Sequence, residues 1–297
     1  MKKLILVMLM ITASFSYAQS LQIYTGKRDF LPIEILMEDG SIKKGFAQDF
    51  TLPDPVTFSI QFIGKTSAKG AHLDRKEIKF KSSKTDPEIQ LIPVTVIKSL
   101  IYTNEDTHET FQLDKRIVRK INNNLELESE GKVLMLPLIK KGDINLYGFR
   151  NIVCKANFGD SFATVYNGNE NNCSLVAVMT YISKPDDTVA ISPADYDSVT
   201  PFSIFNLKNI YKKYYKAYEL IGKDCPEFLK KVDQARSEDY FSNKTFKENK
   251  KALEEEKKEA LRGKKGVEIT KLNLQFSTEL YTKMYGKLIE DYQESCH

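Results

Sequence analysis

"PIEILMEDGSIKKGFAQDF", residues 32–50, sets two alternating apolar runs on either side of Asp39-Gly40. Alternation of period two is what a half-buried strand produces, because successive side chains point to opposite faces. Glycine accepts the positive φ that a tight primed turn demands, so the stretch reads as an antiparallel hairpin. The pattern continues outward. "VTFSIQFI" (56–63) alternates Val56, Phe58, Ile60 and Phe62 against Thr57, Ser59 and Gln61. Further strands are expected over Glu77 to Lys81, Ile89 to Tyr102, Glu109 to Leu113, Lys132 to Ile139 and Ile144 to Lys155. Turn pairs at Gly159-Asp160 and Asn167-Gly168 predict a three-strand meander there. This spacing predicts an antiparallel β-rich domain, barrel- or sandwich-like, over residues 19–203.

After Pro201 the period changes. Leu207, Ile210, Tyr211, Tyr214, Tyr218 and Ile221 follow spacings of three and four, one stripe of a helix. Asp224 has the chemistry of an N-cap, with Pro226 in the first turn and Glu227 three residues on, which resembles a capping box. "NKKALEEEKKEALRGKKG" is a polar helix ended by glycine, and "STELYTKMYGKLIEDYQ" puts Leu280, Met284, Leu288 and Tyr292 on one face. The fold class is therefore α+β, with a helical region over 204–297 packed on the β-rich domain.

The first twenty residues differ from both parts. "MKKLILVMLMITASFSYAQS" opens with Lys2 and Lys3, runs apolar from Leu4 to Ile11, and offers Ser16 and Ala18 ahead of Gln19. Small residues at those two positions are what a signal peptidase reads. A spanning helix needs about 20 apolar residues, and Thr12, Ser14 and Ser16 interrupt this run first. A cleavable export signal over 1–18 is expected, cut between Ala18 and Gln19. No later stretch is long and apolar enough to span a bilayer, so a mature chain in the periplasm, associated with the outer membrane or secreted follows.

The formal charge of +4 falls to about +2 once Lys2 and Lys3 are lost, which leaves no strong field for polyanions. A hydrophobic content of 41% suffices for a packed core. Several segments then resemble an uncharacterised family of exported proteins from Bacteroidota: "DGSIKKGFA", "KEIKFK", "VIKSLIY", "LIKKGDINLYG" and "DCPEFLKKV". The likeness is to a DG-turn β-domain followed by helices carrying "DCP-x-L". It implies export and this architecture, and no activity. Residues around Thr51 to Arg75 are an addition to that pattern.

Sites of reaction are scarce. The three histidines are His72, His108 and His297, with no H-E-x-x-H and no C-x-x-C, so no zinc site is supported. "FGDSF" (158–162) holds a Gly-Asp-Ser, but an esterase of that type needs an Asp-x-x-His downstream, and His297 lacks the aspartate. No phosphate-cradling glycine loop is present. Glu105, Asp106 and Glu109 around "THET" read as solvated turn residues, without calcium-loop spacing. No catalytic, metal or cofactor-binding residue is singled out, and no cofactor is expected. Lys208, Tyr211, Lys212, Tyr215 and Lys216 form a candidate contact face for acidic glycans, lipid headgroups or a partner. The reading preferred over it is that the tyrosines pack on the β-domain while the lysines face solvent. Export sets nucleic acid aside.

Four cysteines in an exported chain favour pairing. Cys225 at a helix N-terminus would have a lowered thiol pKa, yet a nucleophile also wants a base. A Cys225–Cys296 contact or bond is expected, clipping the first helices to the last. For Cys154 and Cys173, a meander places them on outer strands nearly 10 Å apart, beyond the roughly 6.8 Å a disulfide spans. Either the strands connect otherwise or both are buried thiols. The expected function is thus an exported, non-enzymatic envelope or secreted protein that binds a partner or ligand, the alternative being an exported hydrolase using carboxylates. Protein recovered from periplasm or medium should begin at Gln19 by N-terminal sequencing; an intact Met1 there would sink the export signal.

Overall fold

The structure is a computed structural model that describes residues 30–48, 56–58, 73–103, 105, 108, 110–155, 173–193, 207–265 and 267–296; for some, among them 149–155, 173–179 and 207–209, it describes the backbone alone. The export segment, "FGDSF" and most of "VTFSIQFI" lie outside the described residues. Strands are β1 (Leu31–Met37), β2 (Ile42–Ala47), β3 (Val56–Phe58), β4 (Glu77–Lys81), β5 (Gln90–Pro93), β6 (Ile97–Thr103), β7 (Thr110–Lys120), β8 (Lys132–Lys140), β9 (Asn145–Lys155), β10 (Cys173–Ser183) and β11 (Val189–Ser192). Helices α1 (Leu207–Ile221), α2 (Pro226–Ser237), α3 (Asn243–Leu261) and α4 (Val267–Cys296) follow. This is an α+β chain with its helices after the sheet.

The opening hairpin forms as β1 and β2, with Leu36 opposite Ile42. Its turn is longer than a two-residue primed one. Met37 N–H donates to the Ser41 carbonyl at 2.9 Å, and of the loop residues Gly40 alone has a positive φ, +85°. Asp39 Oδ1 accepts from Ser41 N at 2.9 Å and Ser41 Oγ at 2.6 Å, which supports a three-residue connection instead.

Five strands pair in the order β6-β1-β2-β4-β5, and a 3₁₀ turn at Val94–Val96 carries β5 into β6. Ile33, Ile35, Ile78, Phe80, Ile97, Leu100 and Tyr102 fill the space they enclose. Strand β2 admits Phe80 only because residue 45 is glycine: a Cβ there would lie 2.4 Å from the Phe80 ring.

A second set, β7-β8-β9-β10-β11, closes into a barrel when β11 returns parallel to β7, Val189 to Ser192 beside Ile117 to Lys120. Strand β3 also runs parallel, Val56 to Phe58 beside Val153 to Lys155 of β9. The turns and middle strand of the meander expected after β9 lie outside the described residues, and no strand comes between β9 and β10. Strands β9 and β10 are immediate antiparallel neighbours, with Cys173 opposite Cys154. Two turn-like dipeptides suggested an intervening strand, whereas the apolar runs on either side pair directly.

The strands of this barrel have two working faces. Leu134, Leu136, Leu138, Val118, Tyr147, Tyr181 and Ala190 fill its interior. Leu146, Ile182 and Ile191, each next in sequence to an interior residue, point outward and pack against the helices. There Tyr214, Tyr215, Ala217, Tyr218, Ile221, Phe228, Val232, Phe241, Leu288 and Tyr292 complete a third core. Burying each large side chain of this kind contributes roughly 1.5–3 kcal/mol.

The cap of α2 is Cys225, one residue later than the expected Asp224, and no side chain bonds the helix amides. Asp224 instead faces Lys184, Nζ to Oδ2 4.0 Å, and Glu227 pairs with Lys230 at 2.7 Å, so the capping box is not made. Pro226 at the first helical position lacks the N–H a cap would satisfy. Cys225 lies at disulfide distance from Cys296, with Cα atoms 5.9 Å apart and 71 residues of separation. Closing a loop of that length removes unfolded-state entropy worth about 4 kcal/mol.

The turn from α1 to α2 passes through Gly222, where an added Cβ would lie 2.1 Å from Cδ1 of the Phe228 ring. That ring is fully buried and cannot swing away. Gly222→Ala is expected to cost about 1–3 kcal/mol by overpacking, read as a lowered urea midpoint. An unchanged midpoint would mean that α1 and α2 do not meet this closely.

Candidate functional site

Two groups of residues carry chemistry, and the first is the tyrosine-lysine helix α1. The fold divides its expected contact face. Tyr215 is 4% exposed and belongs to the core: its hydroxyl accepts from Phe241 N at 2.9 Å and donates to the Ala235 carbonyl at 3.2 Å. It therefore cannot form part of an exposed face. Tyr211 is half-buried and Lys212 exposed, while Lys216 is half-buried and pairs with Glu219 at 3.2 Å. Lys208 lies in the first turn, its side chain outside the described ones.

The remaining tyrosines are anchors. Tyr214 shares a 2.6 Å hydrogen bond with Thr180 Oγ1 on β10 and stacks on Tyr285 at 4.5 Å between centroids. Tyr218 donates to the Tyr285 carbonyl at 2.6 Å. Each phenol thus enters the interior with its polar end satisfied, the condition for burying a tyrosine. Burial pushes the pKa of Tyr214 and Tyr218 upward, Tyr218 strongly.

The second group sits inside the closed barrel and was not singled out from sequence. Asp114 and Arg116, two apart on β7, share one face and so both enter the lumen, where both are buried. Tyr147 of β9 donates to Asp114 Oδ2 at 2.8 Å and accepts from Arg116 Nη2 at 2.8 Å and Asn145 Nδ2 at 3.1 Å. Arg116 Nη2 also reaches Asp114 Oδ2 at 3.4 Å and the Pro185 carbonyl at 3.3 Å. Gln112 Nε2 donates to Asp114 Oδ1 at 2.7 Å. Asn145 in turn holds the Gly142 amide at 3.1 Å.

These bonds tie β7, β9 and the β10–β11 turn together. Both carboxylate oxygens of Asp114 are engaged, and Tyr147 has its proton donated and its oxygen doubly bonded. Among the described residues Arg116 Nε alone in this group has no hydrogen-bond partner. The network is consequently a strut: its polar atoms face one another. Burial first, then the Asp114 charge, raises the Tyr147 pKa far above its usual value and keeps the phenol neutral. Opening a buried ion pair by deleting one partner typically costs about 3–5 kcal/mol.

Other candidates are dispersed. Glu105 pairs with Lys84 at 2.6 Å, and His108 is exposed with a φ of 56°. Asp106 and Glu109 lie outside the described residues. Among the described residues no group of three or more His, Cys, Asp or Glu side chains is placed to hold a metal ion. No described helix is long and apolar enough to cross a membrane. No family model, curated protein or solved structure matches the chain.

The buried phenols predict an alkaline limit. Their folded-state pKa values are raised, as is that of the half-buried Tyr240, to about 12. The stability they contribute is complete below the free value near 10 and is lost as pH rises toward the raised values, because the unfolded chain releases its protons first. Tyr147→Phe removes one such group. Relative to the parent it should flatten the fall in unfolding free energy between about pH 10 and 12 by up to roughly 1.4 kcal/mol per pH unit. Parallel curves for the two proteins in urea titrations would refute the assignment.

Proposed function

We propose that the chain is an exported, non-enzymatic protein of the cell envelope or secreted fraction that binds an envelope protein. The observation that carries this is the Cys225–Cys296 pair, which brings residues 71 apart in sequence to disulfide distance. Such a bond persists in an oxidising compartment and is rare where thiols are kept reduced. The leader "MKKLILVMLMITASFSYAQS" supports the same reading.

Contact through the β-rich part is favoured over contact through α1, since the helix spends Tyr214, Tyr215 and Tyr218 on its own core. By contrast Ile42, Ile89 and Leu91 are 60%, 46% and 54% exposed. Ile89 immediately precedes β5, the last strand of its sheet order, and Leu91 lies within it, opposite Lys79 of β4. Ile89 and Leu91, two apart and so on one strand face, form an exposed apolar pair beside Lys79, and apolar patches rimmed by charge mark protein-contact surfaces.

A photo-crosslinking residue placed at Leu91 should trap one envelope protein in living cells, and Ile42 should trap the same one. The same residue at Lys258, exposed on α3, serves as control. Equal trapping from the control, or none from the β positions, would count against this reading.

A further inference from the structure

We propose that Cys154 and Cys173 form a second disulfide, joining β9 to β10 at the end of the closed barrel. The backbone register makes them direct partners across an antiparallel pair. In such a pair opposed Cα atoms lie about 4.5 or 5.5 Å apart, depending on the hydrogen-bonding type. Both values fall within the window of about 4.4–6.8 Å that a disulfide bridges. Pairing arithmetic agrees. Four cysteines allow three connectivities, and with Cys225 held against Cys296 one remains.

The position gives the bond a task. Val153 and Cys154 of β9 pair with β10, and Val153 to Lys155 pair with the parallel strand β3, with Thr57 opposite Cys154. Strand β3 is three residues long and sits off the main order of the sheet. A bond from Cys154 to Cys173 fixes the strand on which β3 depends, and it closes residues 154–173 into a covalent ring.

Formation needs a disulfide donor, a protein disulfide of the exported compartment that acts as the two-electron oxidant. One cysteine thiolate attacks the donor disulfide, forming a mixed disulfide and expelling one donor thiolate. The second cysteine thiolate then attacks the protein sulfur and expels the other. Two electrons pass to the donor, which leaves as a dithiol after taking up the two protons the cysteines release. The inference thus rests on the export reading.

Tryptic mapping without reductant, after alkylation of free thiols in denaturant, tests it on protein taken from the extracytoplasmic fraction. Trypsin cuts after Lys155, between the two cysteines. The expected product is "NIVCK" (151–155) linked to the peptide beginning at Ala156 that holds Cys173, with "DCPEFLK" linked separately to "LIEDYQESCH". Alkylated Cys154 and Cys173 beside an intact Cys225–Cys296 pair would overturn the inference and leave the export reading standing. A Met1 N-terminus would sink the export reading on its own. Oxidation of that purified protein by glutathione disulfide then decides the bond: the same linked peptides support it, and their absence overturns it.

Discussion

Strand β7 is shared, and the rest of the architecture follows from how its one edge is divided. Residues Thr110–Asp114 pair with β6, while Ile117–Lys120 on the same side pair with β11. A single long strand therefore belongs to the closed barrel and also pairs with β6, the edge of the first set, and neither set can shift register without disturbing the other. Its alternation serves both interiors. Leu113 faces the first core, while Asp114, Arg116 and Val118 face the closed barrel. Strand β8 repeats the division: Met135 belongs to the first core, and Leu134, Leu136 and Leu138 to the second. A one-residue slip in either strand would exchange every side chain between the two interiors, so the register is strongly specified.

Placing a charged pair on that strand has a cost that the network around it offsets. Asp114 and Arg116 are buried within hydrogen-bond reach of Tyr147, Gln112 and the Pro185 carbonyl, and Asn145 holds the Tyr147 hydroxyl in turn. Partners come from β7, β9 and the β10–β11 turn, which are the elements that must meet for the barrel to close. Apolar residues of similar volume would close it too, and buried ion pairs are often no more stabilising than such replacements. What polar atoms add is direction, since each bond is made in one arrangement of the strands. The helical layer uses the same device, where Tyr214, Tyr215 and Tyr218 bury their rings and spend their hydroxyls on fixed partners.

Much of this was legible in the chain because it is local. The strand "EIKFK" was read over the residues it occupies, and Leu280, Met284, Leu288 and Tyr292 all proved buried on α4. Elsewhere local chemistry misled. "KDCPEF" carries every residue type a capping box needs, yet Asp224 is drawn toward Lys184 and the cap passes to Cys225. "LDKRIV" in β7 shows two charges of opposite sign on one strand face, the single local trace of the buried network. Charged residues at such spacing are ordinary on solvated strands, and only closure of the barrel removes these from water. For Tyr215 both packing and a contact face were open, because a helical wheel cannot say how many sides of a helix are covered. Packing against α2 and Phe241 covers a second side.

By itself the sequence determined the period of each segment, and hence an α+β chain with strands first and helices after. Hydrophobic alternation and helical stripes are local consequences of backbone geometry. Tertiary structure decided everything that depends on which segments meet. The parallel return of β11 to β7 pairs residues some seventy positions apart, and nothing in "VAIS" names its partner. The direct pairing of β9 with β10 is likewise a choice between neighbours that local turns proposed differently. Backbone hydrogen bonds are the same whichever strand supplies them. The selection falls to burial, which is a property of the whole assembled core.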